Sequence, residues 1–309
     1  MTTIVRTFLN YFHTVRYLRF VQIISRVKRY FKFNKINNNP VDAIRDRKGS
    51  WISPARRSQR MLKKNIFRFL NETHKISKKE DWNNPDLEKL WLYNLHYFDD
   101  LTSINAIDRS SLHDSLIIKW IEDNPFGVGN GWEPYTISLR TVNWIKWHLS
   151  GNNLNEDQIH SLNVQIRFLS NNLETHLMGN HLFANAKALI FSGLFFSGNE
   201  ASIWYKTGCQ ILTTEISEQT LKDGGNFELS PMYHSIILED LLDILNLHRL
   251  FEYSVPGDVE ATIPKMLNWL LVMCHPDNEI SFFNDAALDN TPSTIELFRY
   301  SGQLGFLRP

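Results

Sequence analysis

The sequence predicts an all-α protein. From about residue 62 onward, apolar residues recur at helical spacing in one segment after another, and short turns rich in Gly, Asn and Pro separate the segments. No series of segments shows the strict alternation of apolar and polar residues that half-buried strands require. Helices joined in series by short turns pack as antiparallel neighbours, and a bundle, a solenoid and an α/α toroid all satisfy this pattern.

Eight helices are predicted in this part of the chain. The periodicity places them at about 85–103, 109–122, 134–149, 156–176, 181–197, 200–220, 231–252 and 258–273. Pro134 and Pro231 each fit the first position of a helix, where the missing N–H costs no hydrogen bond. Ser230 fits the N-cap before Pro231, so Tyr233 is expected in the first turn of its helix.

Residues 1–60 are predicted to form a separate region before a main helical domain at residues 61–309. Apolar residues at helical spacing with Arg and Lys between them indicate a basic amphipathic helix over residues 1–36. We expect this helix to dock on the main domain, and the alternative is that it lies on an anionic membrane surface. Residues 37–60 are polar and broken by Asn, Pro and Gly, which is typical of a linker.

Composition and charge exclude several classes of protein. The 309 residues contain 33 basic and 33 acidic side chains, and this balance argues against binding nucleic acid by bulk electrostatics. Cys209 and Cys274 provide neither a disulfide framework nor the spacing of metal ligands. No apolar run is long enough to span a membrane, and Arg and Lys interrupt any secretory signal near the N-terminus. We therefore expect a cytoplasmic protein.

The first segment that could carry chemistry is the glycine-rich stretch at residues 124–135. Three glycines in five residues permit positive φ angles and close backbone approach just before a helix. The stretch is expected to present Trp132, Tyr135 and Arg140 to a sugar ring and its carboxylate. The alternative is a plain loop with Arg140 in a structural salt bridge. A phosphate cradle is excluded because no strand precedes the loop and no Lys-Ser/Thr pair closes it.

Two further segments contain polar residues at predicted helix starts. In residues 178–189, Asn180 fits an N-cap, and His181 and Asn185 lie four residues apart on one helical face. In residues 223–234, Tyr233 is followed by His234 at the N-terminal end of a predicted helix. Each residue also has an ordinary structural interpretation, as a helix cap, a buried histidine or the first member of an apolar stripe.

Together the three segments resemble the helical domain of heparinase II/III-like and alginate-lyase-like polysaccharide lyases. The resemblance also includes residues 14–18 with Gln22, residues 91–98 and residues 283–285, so that it extends over nearly the whole chain. Each motif alone would be weak evidence, but the combination is fairly specific.

The resemblance implies an incomplete α/α toroid of antiparallel helix pairs, followed in the family by a β-sandwich that this chain is expected to lack. It also implies β-elimination on a uronate-containing polysaccharide. In that reaction Asn180 and His181 neutralise the uronate carboxylate, and Tyr233 acts as acid and base. Trp132, Tyr135, Arg140, Asn185 and His234 are expected to bind substrate.

The family draws a further catalytic or metal-site histidine or tyrosine from the β-sandwich, so we expect no cofactor in the helical part. With one wall of the cleft, the chain is expected to bind uronate oligosaccharides weakly and cleave them little.

Two other functions remain open at this point. One is a non-catalytic carbohydrate-binding or scaffolding toroid from a surface-polysaccharide gene cluster. The other is a glycoside hydrolase, which needs two opposed carboxylates. Its candidates are Glu133, Asp223, Glu228 and Asp285, and no spacing pairs them.

Overall fold

The described part of the protein is mostly helical. The computed structural model describes residues 6–7, 9, 12–13, 15–30, 36–37 and 40–307. The helices with defined bounds are α1 (Phe20–Tyr30), α2 (Lys89–Tyr97), α3 (Ser110–Asp123), α4 (Pro134–Leu149), α5 (Glu156–Asn171), α6 (Gly179–Phe195), α7 (Gly198–Gln219), α8 (Pro231–Phe251), α9 (Val259–Val272) and α10 (Thr294–Gln303). The all-α prediction is confirmed.

Alternate helices form an inner layer. α4 packs on α6 and α6 packs on α8, while α2 and α10 contact the two ends of this series. α5, α7 and α9 lie outside it and connect its members. Successive helices joined by short turns are antiparallel, so alternate helices run parallel and their N-termini open on the same side of the domain. This arrangement is the incomplete α/α toroid that the resemblance implied.

Most helix bounds agree with the sequence prediction. α4 occupies residues 134–149 as predicted, and α8 begins at Pro231 with Ser230 as the N-cap, its side chain accepting the Tyr233 N–H. The helix predicted at 85–103 ends early because Phe98 takes a left-handed conformation with φ 63°. Residues 99–102 then form a short 3-10 turn.

The predicted helix over residues 1–36 is interrupted. Residues 1–5, 8, 10–11, 14 and 31–35 of it lie outside the described residues. A turn at residues 16–19 precedes α1, and the Gln22 side chain accepts the Arg19 N–H at 2.9 Å, which satisfies a donor at this helix start. Within the described residues, no helix is both long enough and apolar enough to cross a membrane.

A small antiparallel sheet was not anticipated from the sequence. It contains β1 (Met61–Lys63), β2 (Ile66–Phe69) and β3 (Glu72–Lys75) in that order. Positive φ angles at Leu70 and Asn71 form a tight turn that suits the twist of a hairpin. The sheet packs on α2 through Phe69 and Trp91, whose ring centroids are 5.2 Å apart. Strands of three or four residues are too short to give a periodic signal.

Residues 40–60 lie along the toroid without regular secondary structure. The Arg45 guanidinium donates to the Leu194 and Phe196 carbonyls at the end of α6. Asn246 on α8 exchanges two hydrogen bonds with the Ile52 backbone. Because these contacts satisfy carbonyls at the end of α6 and the backbone of Ile52, the segment stabilises the inner layer.

Burial keeps four histidines of the helix layers neutral. Burial lowers the pKa of His96 to about 3 and the pKa of His148, His234 and His248 to about 4. In an unfolded chain these groups titrate near 6.5. Below that pH the unfolded chain therefore binds protons that the folded chain does not.

We predict that the free energy of unfolding falls as the pH is lowered from about 7 to about 5, since protonation favours the unfolded state in this window. Each histidine contributes a slope of at most about 1.4 kcal/mol per pH unit. Urea unfolding across this range measures the effect, and His148→Gln should make the slope shallower. A free energy of unfolding that is constant over the window would contradict the prediction.

Candidate active site

The N-terminal turns of three inner helices face one cleft. Its volume is about 400 Å³, and Tyr135 of α4, Asn180 and His181 of α6 and Tyr233 of α8 all line it. The parallel course of alternate helices explains why these first turns meet. His181 and Tyr233 therefore lie on the same side of the domain.

Asn180 and His181 lie inside the first turn of α6. Gly179 is the first helical residue, so Asn180 is not the N-cap that the sequence suggested; Met178 holds that position with a strained φ of 64°. Within the described residues, the Asn180 side chain has no hydrogen-bond partner. The helix start therefore presents an amide side chain and unpaired backbone N–H groups, which favour an anion.

Glu174 holds His181 in place. Its Oε1 lies 3.1 Å from His181 Nδ1, and its Oε2 accepts a hydrogen bond from the Asn185 side chain at 3.1 Å. Asn185 also accepts the Glu174 N–H and donates to Ser138. Because a carboxylate only accepts, Nδ1 carries a proton and Nε2 is left for a ligand. Asn185 therefore holds Glu174 beside His181 and does not bind substrate, contrary to the sequence prediction.

A row of aromatic rings forms one wall of the cleft. Tyr93, Tyr97, Tyr135 and His181 follow one another with centroid separations of 6.3, 5.8 and 4.4 Å. Burial raises the pKa of Tyr93 to about 12 and the pKa of Tyr97 and Tyr135 above their ordinary range. These hydroxyls are therefore neutral donors. Aromatic faces with neutral hydroxyl edges suit the apolar faces and hydroxyls of sugar rings.

Tyr233 lies at the rim of the cleft. The strained Leu229, with φ 54°, turns the chain into the Ser230 cap, so that the ring projects from the first turn of α8. Burial raises the pKa of Tyr233, and the carboxylates of Asp285 and Glu228 raise it further. The hydroxyl is thus held in its protonated form.

Buried ion pairs form the floor of the cleft. Lys187 of α6 lies 2.6 Å from both Asp240 and Asp243 of α8. Lys146 of α4 pairs with Asp243 and Glu239, and the Arg57 guanidinium lies 2.5 Å from Glu239. Every cation of the floor is therefore already neutralised by a carboxylate.

The comparisons with known proteins identify the family. A family model described as Heparinase II/III N-terminus matches residues 119–303, more than half of the chain. The chain belongs to the heparinase II/III family. The matched range contains all the residues proposed for the site from sequence.

Curated relatives are heparin-sulfate lyases. The chain is similar to the enzyme of Bacteroides stercoris, with 35% identity over 39% of this chain and 19% of the relative. It is also similar to the enzyme of Bacteroides thetaiotaomicron, with 27% identity over 65% of this chain and 34% of the relative. The chain thus matches about a fifth to a third of the length of these relatives.

Solved structures share the fold. A heparinase III superimposes with a TM-score of 0.55 at 21% identity, covering 78% of this chain and 44% of that chain. The heparan sulfate lyase of Pedobacter heparinus gives 0.51 at 22% identity, covering 71% and 38%. At this identity the likeness supports the helical toroid and nothing about the reaction.

Trp132 does not line the cleft of this family member, contrary to the sequence prediction. It is 6% exposed, and its ring packs against Phe126, Phe168 and Trp120. The glycine-rich loop at residues 124–135 covers the hydrophobic core and does not present Trp132 to the cleft. A Cβ at Gly131 would lie 2.8 Å from the His96 ring, so glycine is needed there for close approach.

Arg140 is fully buried and structural. It donates to Gln165 Oε1 at 2.8 Å, to the His96 carbonyl at 3.2 Å and to the Gly131 carbonyl at 2.7 Å. Its guanidinium lies 3.8 Å from the centroid of the Trp120 ring. With these donors occupied, Arg140 cannot reach a substrate carboxylate, and the expected contact is wrong.

His234 is also misassigned by the sequence analysis. It is fully buried, its Nε2 donates to the Met266 carbonyl at 3.0 Å, and its ring lies 4.3 Å from Trp269. Tyr233 and His234 project from α8 about 100° apart. Only the tyrosine therefore faces the cleft.

Sequence reasoning missed most of the floor and wall. The residues not proposed are Arg57, Tyr93, Tyr97, Lys146, Glu174, Lys187, Glu239 and Asp240. One signal was available, because three carboxylates within five residues interrupt the otherwise apolar stretch of α8. Among the residues that the structure covers, no group of three or more His, Cys, Asp or Glu is arranged to hold a metal ion.

We predict that Arg140→Lys lowers the free energy of unfolding by at least about 2 kcal/mol, since a lysine cannot reach three buried acceptors. Urea denaturation measures the effect. Arg68→Lys changes an exposed arginine of β2 that has no side-chain hydrogen bond among the described residues; it is the matched control and should change stability by less than about 0.5 kcal/mol. An Arg140→Lys variant with full stability but weakened sugar binding would restore the substrate role.

Proposed function

We propose that this chain forms the helical wall of a polysaccharide lyase site that cleaves a uronate-containing polysaccharide by β-elimination. The observation that carries the proposal is the meeting of the Asn180–His181 helix start and the Tyr233 hydroxyl in one cleft. Membership of the heparinase II/III family and the heparin-sulfate lyase relatives support the same reaction class.

The difficult step of β-elimination is removal of the proton on C5 beside the uronate carboxylate. Hydrogen bonds to that carboxylate let negative charge spread onto it as the proton leaves. In our proposal the Asn180 amide, His181 and the backbone N–H groups of the α6 start supply these bonds. A helix N-terminus favours the same charge through its dipole.

The proton state of His181 follows from Glu174. Since Nδ1 donates to the Glu174 carboxylate, a neutral ring has only a lone pair at Nε2. A ring that donates to a substrate carboxylate must be doubly protonated, and Glu174 then compensates its positive charge. We therefore assign Glu174 and Asn185 as positioning residues for His181.

Tyr233 is proposed as the general acid. The C5 proton passes to a base on the opposite wall of the cleft, where the family resemblance implies a further catalytic histidine or tyrosine. The electron pair of the C5–H bond forms the C4–C5 double bond, the C4–O4 bond breaks, and O4 takes the Tyr233 hydroxyl proton. Water then returns a proton to the Tyr233 phenolate. The raised pKa of Tyr233 keeps that proton available. The base role that the resemblance implies for Tyr233 has no comparable support from its surroundings.

The charges of the cleft favour a polymer whose acidic groups are carboxylates rather than sulfates. Arg57, Lys146 and Lys187 are each paired with carboxylates and have little charge to offer a sulfate. Glu228 and Asp285 near the rim would repel additional anionic groups. One uronate carboxylate at the α6 start needs none of these cations.

Product analysis separates the alternatives. Of the four carboxylates considered for a hydrolase, Glu133 is bonded to Lys89 and Tyr93. Asp223 accepts a backbone N–H from its own loop. Glu228 and Asp285 are the remaining candidates. A saturated reducing end would indicate hydrolysis. Binding without any product would indicate the scaffolding toroid.

We predict that Tyr233→Phe removes lyase turnover and leaves oligosaccharide binding nearly unchanged, because only the proton-carrying hydroxyl is lost. General acid groups increase the reaction rate about 10² to 10⁴-fold. Because turnover by this chain is expected to be slow, the loss of such a factor brings the rate below detection. The assay follows the ultraviolet absorbance of the unsaturated product at high protein concentration on several uronate polymers.

The matched control is Tyr205→Phe. Its hydroxyl bonds to His248 outside the cleft, so turnover should be retained. Full turnover by Tyr233→Phe would remove this residue from the mechanism, and saturated products from the wild-type chain would reject β-elimination.

A further inference from the structure

We infer that α1 binds the surface of an anionic lipid membrane through the apolar face that it turns away from the toroid. The inference is independent of the proposed reaction. It follows from how the helix is attached and from the charge of the segment that contains it.

Polar side chains attach α1 to the rest of the protein. Arg19, just before the helix, lies 2.8 Å from Glu218 of α7. The Gln22 amide donates to the His176 carbonyl at 3.3 Å, and the Ser25 and Thr175 hydroxyls are 2.9 Å apart. The face that contacts the toroid is therefore the hydrophilic one.

The opposite face is apolar and uncovered. Phe20 is 77% exposed, Val27 53% and Val21 48%, and Ile24 is exposed as well. Successive helical residues are 100° apart, which places Phe20, Ile24 and Val27 on the arc opposite Gln22 and Ser25. An amphipathic helix normally buries this arc, so an exposed one marks an interaction surface.

Charge identifies the partner. Residues 1–36 contain eight Lys and Arg, whereas all 33 acidic residues of the chain lie beyond them. An amphipathic helix with an exposed apolar face, in a segment whose charged residues are all basic, is typical of helices that lie in the interface of an anionic bilayer. A second copy of the chain is disfavoured on this face because the two basic segments would repel each other.

Binding through this face would bring the cleft close to the lipid surface. Gln22 and Ser25 contact the loop at residues 175–176, immediately after Glu174. Tyr17, Arg19 and Gln22 also border a second depression that shares Asn180 and His181 with the candidate site. The membrane would thus position the site beside polysaccharide held at the bilayer surface.

Co-sedimentation of the full chain with vesicles tests the inference. We expect binding to vesicles of phosphatidylglycerol and phosphatidylcholine, little binding to phosphatidylcholine alone, and loss of binding at high salt. The double variant Ile24→Glu/Val27→Glu should weaken binding at least about tenfold, because it places charge on the apolar face that would enter the bilayer interface. The control Ile203→Glu/Val272→Glu changes two exposed apolar residues on α7 and α9 and should bind as the wild type does.

Three outcomes would overturn the inference. The first is a wild-type chain that fails to sediment with anionic vesicles. The second is an α1 variant that sediments with them as well as the control variant does. The third is concentration-dependent dimerisation, measured by analytical ultracentrifugation, that the α1 variant abolishes while vesicle binding is absent.

Discussion

The candidate site depends on the buried ion pairs between α6 and α8. Lys187 contacts both Asp240 and Asp243, and Lys146 joins α4 to Asp243 and Glu239. Removing one member of such a set leaves an unpaired buried charge, which typically costs about 3 to 5 kcal/mol. Apolar packing tolerates small sliding of helices, whereas these pairs require one relative position. They therefore fix the helix that carries His181 against the helix that carries Tyr233.

Above this floor, backbone strain and side-chain support complete the site. Met178 and Leu229 take positive φ angles one and two residues before the starts of α6 and α8, so the chain turns sharply into each first turn. Glu174 and Asn185 then orient His181, and the row of tyrosines closes the wall beside it. The rigid inner helices thus present an anion-binding helix start and a neutral phenol to the same space.

Sequence reasoning reached the helices, the family and four residues of the cleft, Tyr135, Asn180, His181 and Tyr233. Pro134, Ser230 and Pro231 predicted two helix starts because caps and prolines act locally. Arg140 was misread because its burial depends on Gln165 and on the His96 carbonyl, which are 25 and 44 residues away in the sequence. Lys187 was missed for the same reason, since its partners Asp240 and Asp243 are 53 and 56 residues away. Glu174 lies only seven residues before His181, but it lies before the start of α6, so helical spacing does not predict their contact.

The most direct test of the central claim is a crystal structure of the chain with a uronate oligosaccharide bound. The account predicts a uronate carboxylate within hydrogen-bonding distance, about 2.7 to 3.2 Å, of Asn180 and His181 Nε2. The Tyr233 hydroxyl should face the O4 side of that sugar, and a second ring should stack along Tyr97 and Tyr135. A sugar bound beside Trp132, or a carboxylate directed away from the α6 start, would contradict the account.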